Sequence, residues 1–191
     1  MKQNANNSIT AKRFSTRRLV ALALFTAMAY VISMLSFPIF PATPYLKLDF
    51  GNVFILLSAF LFGPIEGIVV CLLKEVLSLI NSSSGGVGEI ANFLMTTGYI
   101  LIPAIVYRCK KGLKAVLFSL VAACFFGTAV ALVANRWIVF PLYMKDAAAG
   151  VFASVFWFVT AFNLIKTASI GVVSFLLYKR LSGFMKKIAV K

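Results

Sequence analysis

Long apolar runs, broken by short clusters of charge, proline and glycine, organise this chain. A helix needs about 20 residues to cross the hydrocarbon core of a bilayer, and the runs divide into six candidate spans. They are Leu19 to Phe37, Phe50 to Phe62, Ile65 to Ile80, Ile90 to Tyr107, Leu113 to Phe140 and Gly150 to Tyr178. The second is too short to cross alone, so its ends need cover from loops or tilted neighbours. Gly63 and Pro64 predict a tight turn from it into the third. The expected fold class is an all-α integral membrane protein with six transmembrane helices in one domain over residues 1–191. Within it, 1–14 is expected to be a disordered polar arm, 17–180 the bundle and 181–191 a basic tail.

Composition narrows the class. Of 191 residues, 61% are apolar and 13% charged, against about a quarter charged in soluble domains. There is no His, which removes imidazole bases and His-ligated metal sites. Cys71, Cys109 and Cys124 lack ligand spacing and read as packing residues. The dipeptide Gly-Lys does not occur, so a phosphate-binding ATPase loop is absent, and no aspartates cluster for a metal-dependent transferase. The chain is therefore not expected to be an enzyme.

The net charge of +14 is a topological signal. Lys2, Lys12, Arg13, Arg17 and Arg18 precede the first span; Arg108, Lys110, Lys111 and Lys114 lie between the fourth and fifth; Lys179, Arg180, Lys186, Lys187 and Lys191 follow the sixth. These segments are separated by even numbers of spans and so share a face, which the positive-inside rule makes cytoplasmic. Both termini are expected there. A nucleic-acid surface is not expected, because 14 of the 19 cations flank apolar spans and no soluble portion is left to dock DNA or RNA. A cleaved signal peptide fits poorly with five further spans. Trp137, Tyr143 and Tyr45 would mark the outer interface.

With orientation set, polar residues at membrane depth carry the functional information, because they face a cavity or a partner. Glu89, Asn92, Thr96 and Tyr99 form one stripe on the fourth span, and Thr128, Ala131 and Asn135 share a face of the fifth. Thr160, Asn163, Lys166 and Thr167 share a face of the sixth, and Lys74, Glu75 and Ser78 lie in the outer half of the third. The stripes converge on the outer side. Plain interhelical hydrogen bonding is the competing explanation, and an internal pair, Lys74 with Glu75 or Lys166 with Glu75, would satisfy the charges. Asp49, Glu66 and Glu89 sit near helix starts, where a negative charge complements the dipole.

Two outer loops frame this region. Residues 37–51 contain Pro38, Pro41 and Pro44, a spacing that favours a stiff, extended segment; with Thr43 and Lys47 as polar handles, it is expected to be a lid or an interfacial connector. Residues 81–88 (NSSSGGVG) are expected to be mobile.

On the first span, Ala23 and Ala27 stand four apart, a spacing that lets another helix approach closely. With this pair, PYLKLDFG at 44–51, FLFGPIEG at 60–67 and KEVL at 74–77, the chain resembles the substrate-binding S components of energy-coupling factor (ECF) vitamin transporters, nearest to those that bind riboflavin. The resemblance spans all six predicted helices. It implies capture of a vitamin from outside, then association through Ala23 and Ala27 with a membrane coupling subunit and two ATPases. It places the pocket between the first loop and the last three spans. For riboflavin, Asn92, Asn135 and Asn163 offer both donors and acceptors to the pyrimidine edge, Lys166, Thr43 and Lys47 suit ring carbonyls or ribityl hydroxyls, and Phe40, Leu46 and Leu48 would wall the dimethylbenzene end. Riboflavin would be the transported ligand; no cofactor is implied. The alternatives are another vitamin, such as thiamine or biotin, or an autonomous secondary transporter using Lys74, Glu75 and Lys166 as proton-linked groups.

Overall fold

The computed structural model describes residues 16–110 and 112–189, with side chains through residue 180. The 1–14 arm and the side chains of the 181–191 tail lie outside the described residues. The chain is predominantly helical: α1 (Thr16–Ser33), α2 (Gly51–Phe62), α3 (Pro64–Ser78), α4 (Val87–Cys109), α5 (Leu113–Ala134), a five-residue α6 (Phe140–Met144) and α7 (Ala148–Ala189). A two-stranded antiparallel hairpin, β1 (Phe37–Pro38) with β2 (Lys47–Leu48), stands between α1 and α2, in the register Phe37 opposite Leu48.

Among the described residues, three segments are long and apolar enough to cross a membrane: α1, α4 and the stretch Leu113–Arg180. That last stretch folds back on itself at Lys145, whose φ of 45° reverses the chain, so that α7 returns along α5. Large apolar side chains face outward, among them Phe118 at 75% and Trp157 at 78% exposure. In water such faces would be a liability; in a bilayer they are solvated.

The apolar runs map onto these helices with three departures. The first helix stops at Ser33 rather than Phe37, because Pro38 biases Phe37 to an extended conformation and the hairpin takes up residues expected to be helical. The fifth run keeps winding beyond Phe140 to Met144 through a π-turn at Asn135–Val139. The last helix begins at Ala148 and continues through the basic segment to Ala189.

Helix α2 explains the geometry around it. Its 12 residues span about 18 Å, too little for a bilayer, yet Val53, Ile55, Leu56, Leu57, Ala59 and Phe60 are all buried. It is a core helix, apolar but for Asn52 and Ser58 and sheathed by its neighbours. At its end Gly63 adopts φ 123°, and Pro64 starts α3 with a preset φ. The same corner is pinned by Arg18, which donates to the Phe62 carbonyl at 2.8 Å and pairs with Glu66 at 2.6 Å. Close by, Phe60, Tyr107 and Tyr178 stack with centroids 5.0 to 5.8 Å apart and close this end of the molecule. The opposite end is open.

Candidate ligand-binding cavity

At the open end lies a cavity of about 780 Å³, bounded by the ends of α1 and α3, the hairpin loop, the 81–88 loop, the first turns of α4, the end of α5 with its π-turn, α6, and the N-terminal half of α7. Leu46, Lys47, Asn92, Asn135, Asn163 and Lys166 all line it, so six of the nine expected ligand-binding residues meet there although they come from four separate segments. The other three lie in the same loop but do not border the cavity. Phe40 packs edge-on against Phe158 of α7, centroids 5.8 Å apart. Leu48 is buried in β2. Thr43 is buried in the turn where its N–H donates to Phe40 O and its carbonyl accepts from Leu46 N–H; its hydroxyl has no partner among the described residues. Leu46 packs the loop against the apolar cluster of α6 and α7, and Phe40 adds its contact with Phe158.

Asn135 and Asn163 are built alike. Each side-chain N–H donates to the carbonyl four residues back on its own helix, Ala131 at 2.7 Å and Val159 at 2.8 Å. Each then keeps its amide oxygen and one N–H to offer a ligand. Asn135 also opens the π-turn, whose Phe140 N–H reaches back five residues to Asn135 O; such bulges recur at functional sites.

The floor is a buried network of charges and amides. Lys166 donates to Asp49 Oδ2 at 3.2 Å and to Asn92 Oδ1 at 2.7 Å. Asn92 donates to Glu75, which also accepts from Lys74 at 3.0 Å. Asn52 donates to Asn92 Oδ1 at 3.1 Å and to Thr96 at 2.8 Å. Of the two internal pairs considered from sequence, Lys74 with Glu75 forms, whereas Lys166 takes Asp49 in place of Glu75. Asp49 does keep its place at a helix start, accepting the Gly51 N–H at 3.0 Å through Oδ1. Burial works to raise the Asp49 carboxyl, but Lys166 and Lys74 nearby, with the hydrogen bonds from Lys166 and Gly51, hold it below its ordinary value. Asn52 is a residue the sequence reading missed. Fully buried in α2, it had one available signal, an amide inside an otherwise apolar run.

Hydrogen bonds knit the cavity mouth. Lys47 donates to Ser83 at 3.3 Å and Tyr143 to the Ser84 carbonyl at 3.1 Å, while Asn81 donates to Tyr30 at 2.9 Å. The 81–88 loop is also tied to itself: Gly86 N–H donates to Ser82, Gly88 N–H to Ser84, and Ser84 to Glu89.

Comparison with known proteins accords with this arrangement. A family model described as ECF transporter, substrate-specific component, matches residues 17–178. The riboflavin transporter RibU of Staphylococcus aureus (strain TCH60) is 35% identical over 177 residues, 90% of this chain and 94% of that protein. The riboflavin transporter FmnP of Bacillus subtilis (strain 168) is 30% identical over 183 residues, 90% and 95% of the two chains. A solved structure described as "Structure and mechanism of the S component of a bacterial ECF transporter" superposes with a TM-score of 0.77 at 35% identity, covering 89% of this chain and 98% of that one. By family model, relatives and fold alike, this chain belongs to the substrate-specific components of ECF transporters, multi-pass proteins of the cell membrane that bind cargo and leave ATP hydrolysis to partner subunits.

Proposed function

We propose that this chain is the riboflavin-binding subunit of an ECF transporter, taking riboflavin from outside the cell and delivering it with a coupling subunit and two ATPases. The carrying observation is the chemistry of the cavity. Two amide oxygens, on Asn135 and Asn163, and the Lys166 ammonium share one chamber with the apolar side chains of Leu46, Met95, Phe140 and Phe162. An isoalloxazine ring needs that combination: a pyrimidine edge with donors and acceptors in one plane, and apolar faces to be covered. The names of the relatives point to the same vitamin. In this reading one of the Asn135 and Asn163 amides takes the single ring N–H, between the two ring carbonyls, and the other a carbonyl or ribityl hydroxyl; Lys166 serves a carbonyl, Leu46 and Lys47 form the loop wall, and Phe40, Thr43 and Leu48 brace that wall from behind. Asn92 acts beside Lys166.

The same reading sets the topology. Six membrane-crossing segments in a single domain place both termini and the Arg18–Glu66 corner in the cytoplasm, with the cavity facing out, as the distribution of Lys and Arg requires. Protein purified from riboflavin-replete membranes is expected to be yellow and, once stripped, to quench the fluorescence of added riboflavin. Colourless protein that fails to quench, while binding thiamine or biotin, would assign a different vitamin.

A further inference from the structure

Asp49, Lys74 and Glu75 border the cavity with Asn92 and Lys166, and the order of their hydrogen bonds has a direction. A carboxylate only accepts and an ammonium only donates. Asn92 lies between one of each: its side-chain N–H points to Glu75 and its Oδ1 accepts from Lys166. An amide between two neutral partners can turn over; an amide between an anion and a cation cannot, because turning would set N–H against N–H and oxygen against oxygen. Glu75 thereby dictates which end of Asn92 faces Lys166. Asn52, fully buried and anchored on Thr96, adds a second donor to the same Oδ1 and fixes it further.

For Lys166 the consequence is geometric. Its ammonium has three protons. One goes to Asp49 Oδ2 and one to Asn92 Oδ1; among the described residues no oxygen or nitrogen accepts the third, the ammonium lies 5.8 Å from the Phe162 ring centroid, and Lys166 borders the cavity. With two acceptors held in place, the direction of the third proton is set before a ligand arrives, so less ordering is left to be done on binding. Each lysine of the floor also has its own carboxylate, Lys74 with Glu75 and Lys166 with Asp49. The third proton therefore suits an uncharged acceptor such as a carbonyl.

We propose that Glu75 is a positioning residue for ligand recognition, acting through Asn92 to aim the Lys166 ammonium at a carbonyl of the ligand. This rests on the riboflavin reading above. The test measures affinity for riboflavin and for its 2-thio and 4-thio analogues, in which one ring carbonyl becomes a poor acceptor. In the wild-type protein the analogue altered at the carbonyl that Lys166 serves is expected to bind about tenfold more weakly, the worth of one charge-assisted hydrogen bond. Lys166→Met should abolish that penalty. Glu75→Gln and Asn92→Ser should reduce it to about twofold. A merely structural role for Glu75 would weaken riboflavin and analogue alike and leave their ratio unchanged. Because Glu75→Gln strands Lys74, the paired variant Lys74→Met with Glu75→Gln, which keeps the floor neutral, is measured beside it. A wild-type penalty that survives in the Glu75 variants, or that Lys166→Met does not remove, overturns the proposal. Wild-type protein that binds no riboflavin overturns the functional reading instead.

Discussion

Asp49 shows how one side chain can serve a helix and a binding site together. Oδ1 accepts from the first turn of α2 and Oδ2 holds Lys166 on α7, 117 residues away. Its carboxyl is held below the ordinary value, so the stability it contributes is fully present above the unfolded-state value of about 3.9 and is lost as pH falls through the lower folded-state value. Asp49→Asn, which leaves Lys166 without its counter-charge, is expected to cost on the order of 3 kcal/mol at neutral pH. The gap in thermal midpoint between wild type and variant should then shrink in acid below about pH 4; a gap that stays constant with pH would assign the loss to packing. At the ligand-facing residues, Asn135→Ala and Asn163→Ala are each expected to weaken riboflavin binding by about 1 to 3 kcal/mol, as measured by fluorescence quenching. The stripes made Asn92, Asn135, Asn163 and Lys166 legible in the sequence, since helical spacing converts directly into a shared face. The partner of Lys166 was not legible. Pairing across 117 residues depends on how the loop folds over α7, which no local pattern encodes, and Asp49 already had a sufficient local explanation.

At the scale of elements, close approach of backbones decides the packing. Tyr99 of α4 is fully buried, and a Cβ on Gly127 of α5 would come within 3.0 Å of the Tyr99 Cβ. Gly127→Leu would force α4 and α5 apart beside the cavity, with an expected loss of about 1 to 3 kcal/mol from overpacking, read as a lower melting temperature in detergent. Gly63→Ala tests the other end. At φ 123° a side chain is strained, and its Cβ would lie 2.8 Å from Glu66 Oε2, the carboxylate that pairs with Arg18. Loss of stability without loss of affinity in protein that still folds is the expected outcome, because this corner lies far from the cavity. The short second span and its Gly-Pro turn were readable from length and local chemistry. The hairpin loop was readable only as far as its extended character: three prolines predicted stiffness, but the β1–β2 register comes from pairing Phe37 with Leu48 and Pro38 with Lys47 across the loop. The serine-rich loop shows the limit of composition. Composition gave no hint that its hydroxyls accept from backbone N–H groups in and next to the turn.

For the whole molecule, transport requires a surface separate from the pocket, and α1 is suited to that role. Thr26 and Ala29 turn inward, while Ala23 and Ala27 are exposed with Val20, Leu24 and Val31 around them. A row of small side chains on an exposed apolar face offers little to lipid but lets a second helix come close. This is the face to which we assign the coupling subunit. Neither alanine is among the residues that line the cavity, so this assignment makes binding and coupling separable. Ala27→Trp is therefore expected to leave riboflavin affinity within about twofold of wild type, since no pocket contact changes and the added indole points away from the core. Uptake by cells carrying the coupling subunit and ATPases should fall to background, and co-purification of those subunits with this chain should be lost. Equal losses of affinity and uptake would mean that the α1 face supports folding of the subunit itself. Unchanged uptake would place the coupling surface on another helix.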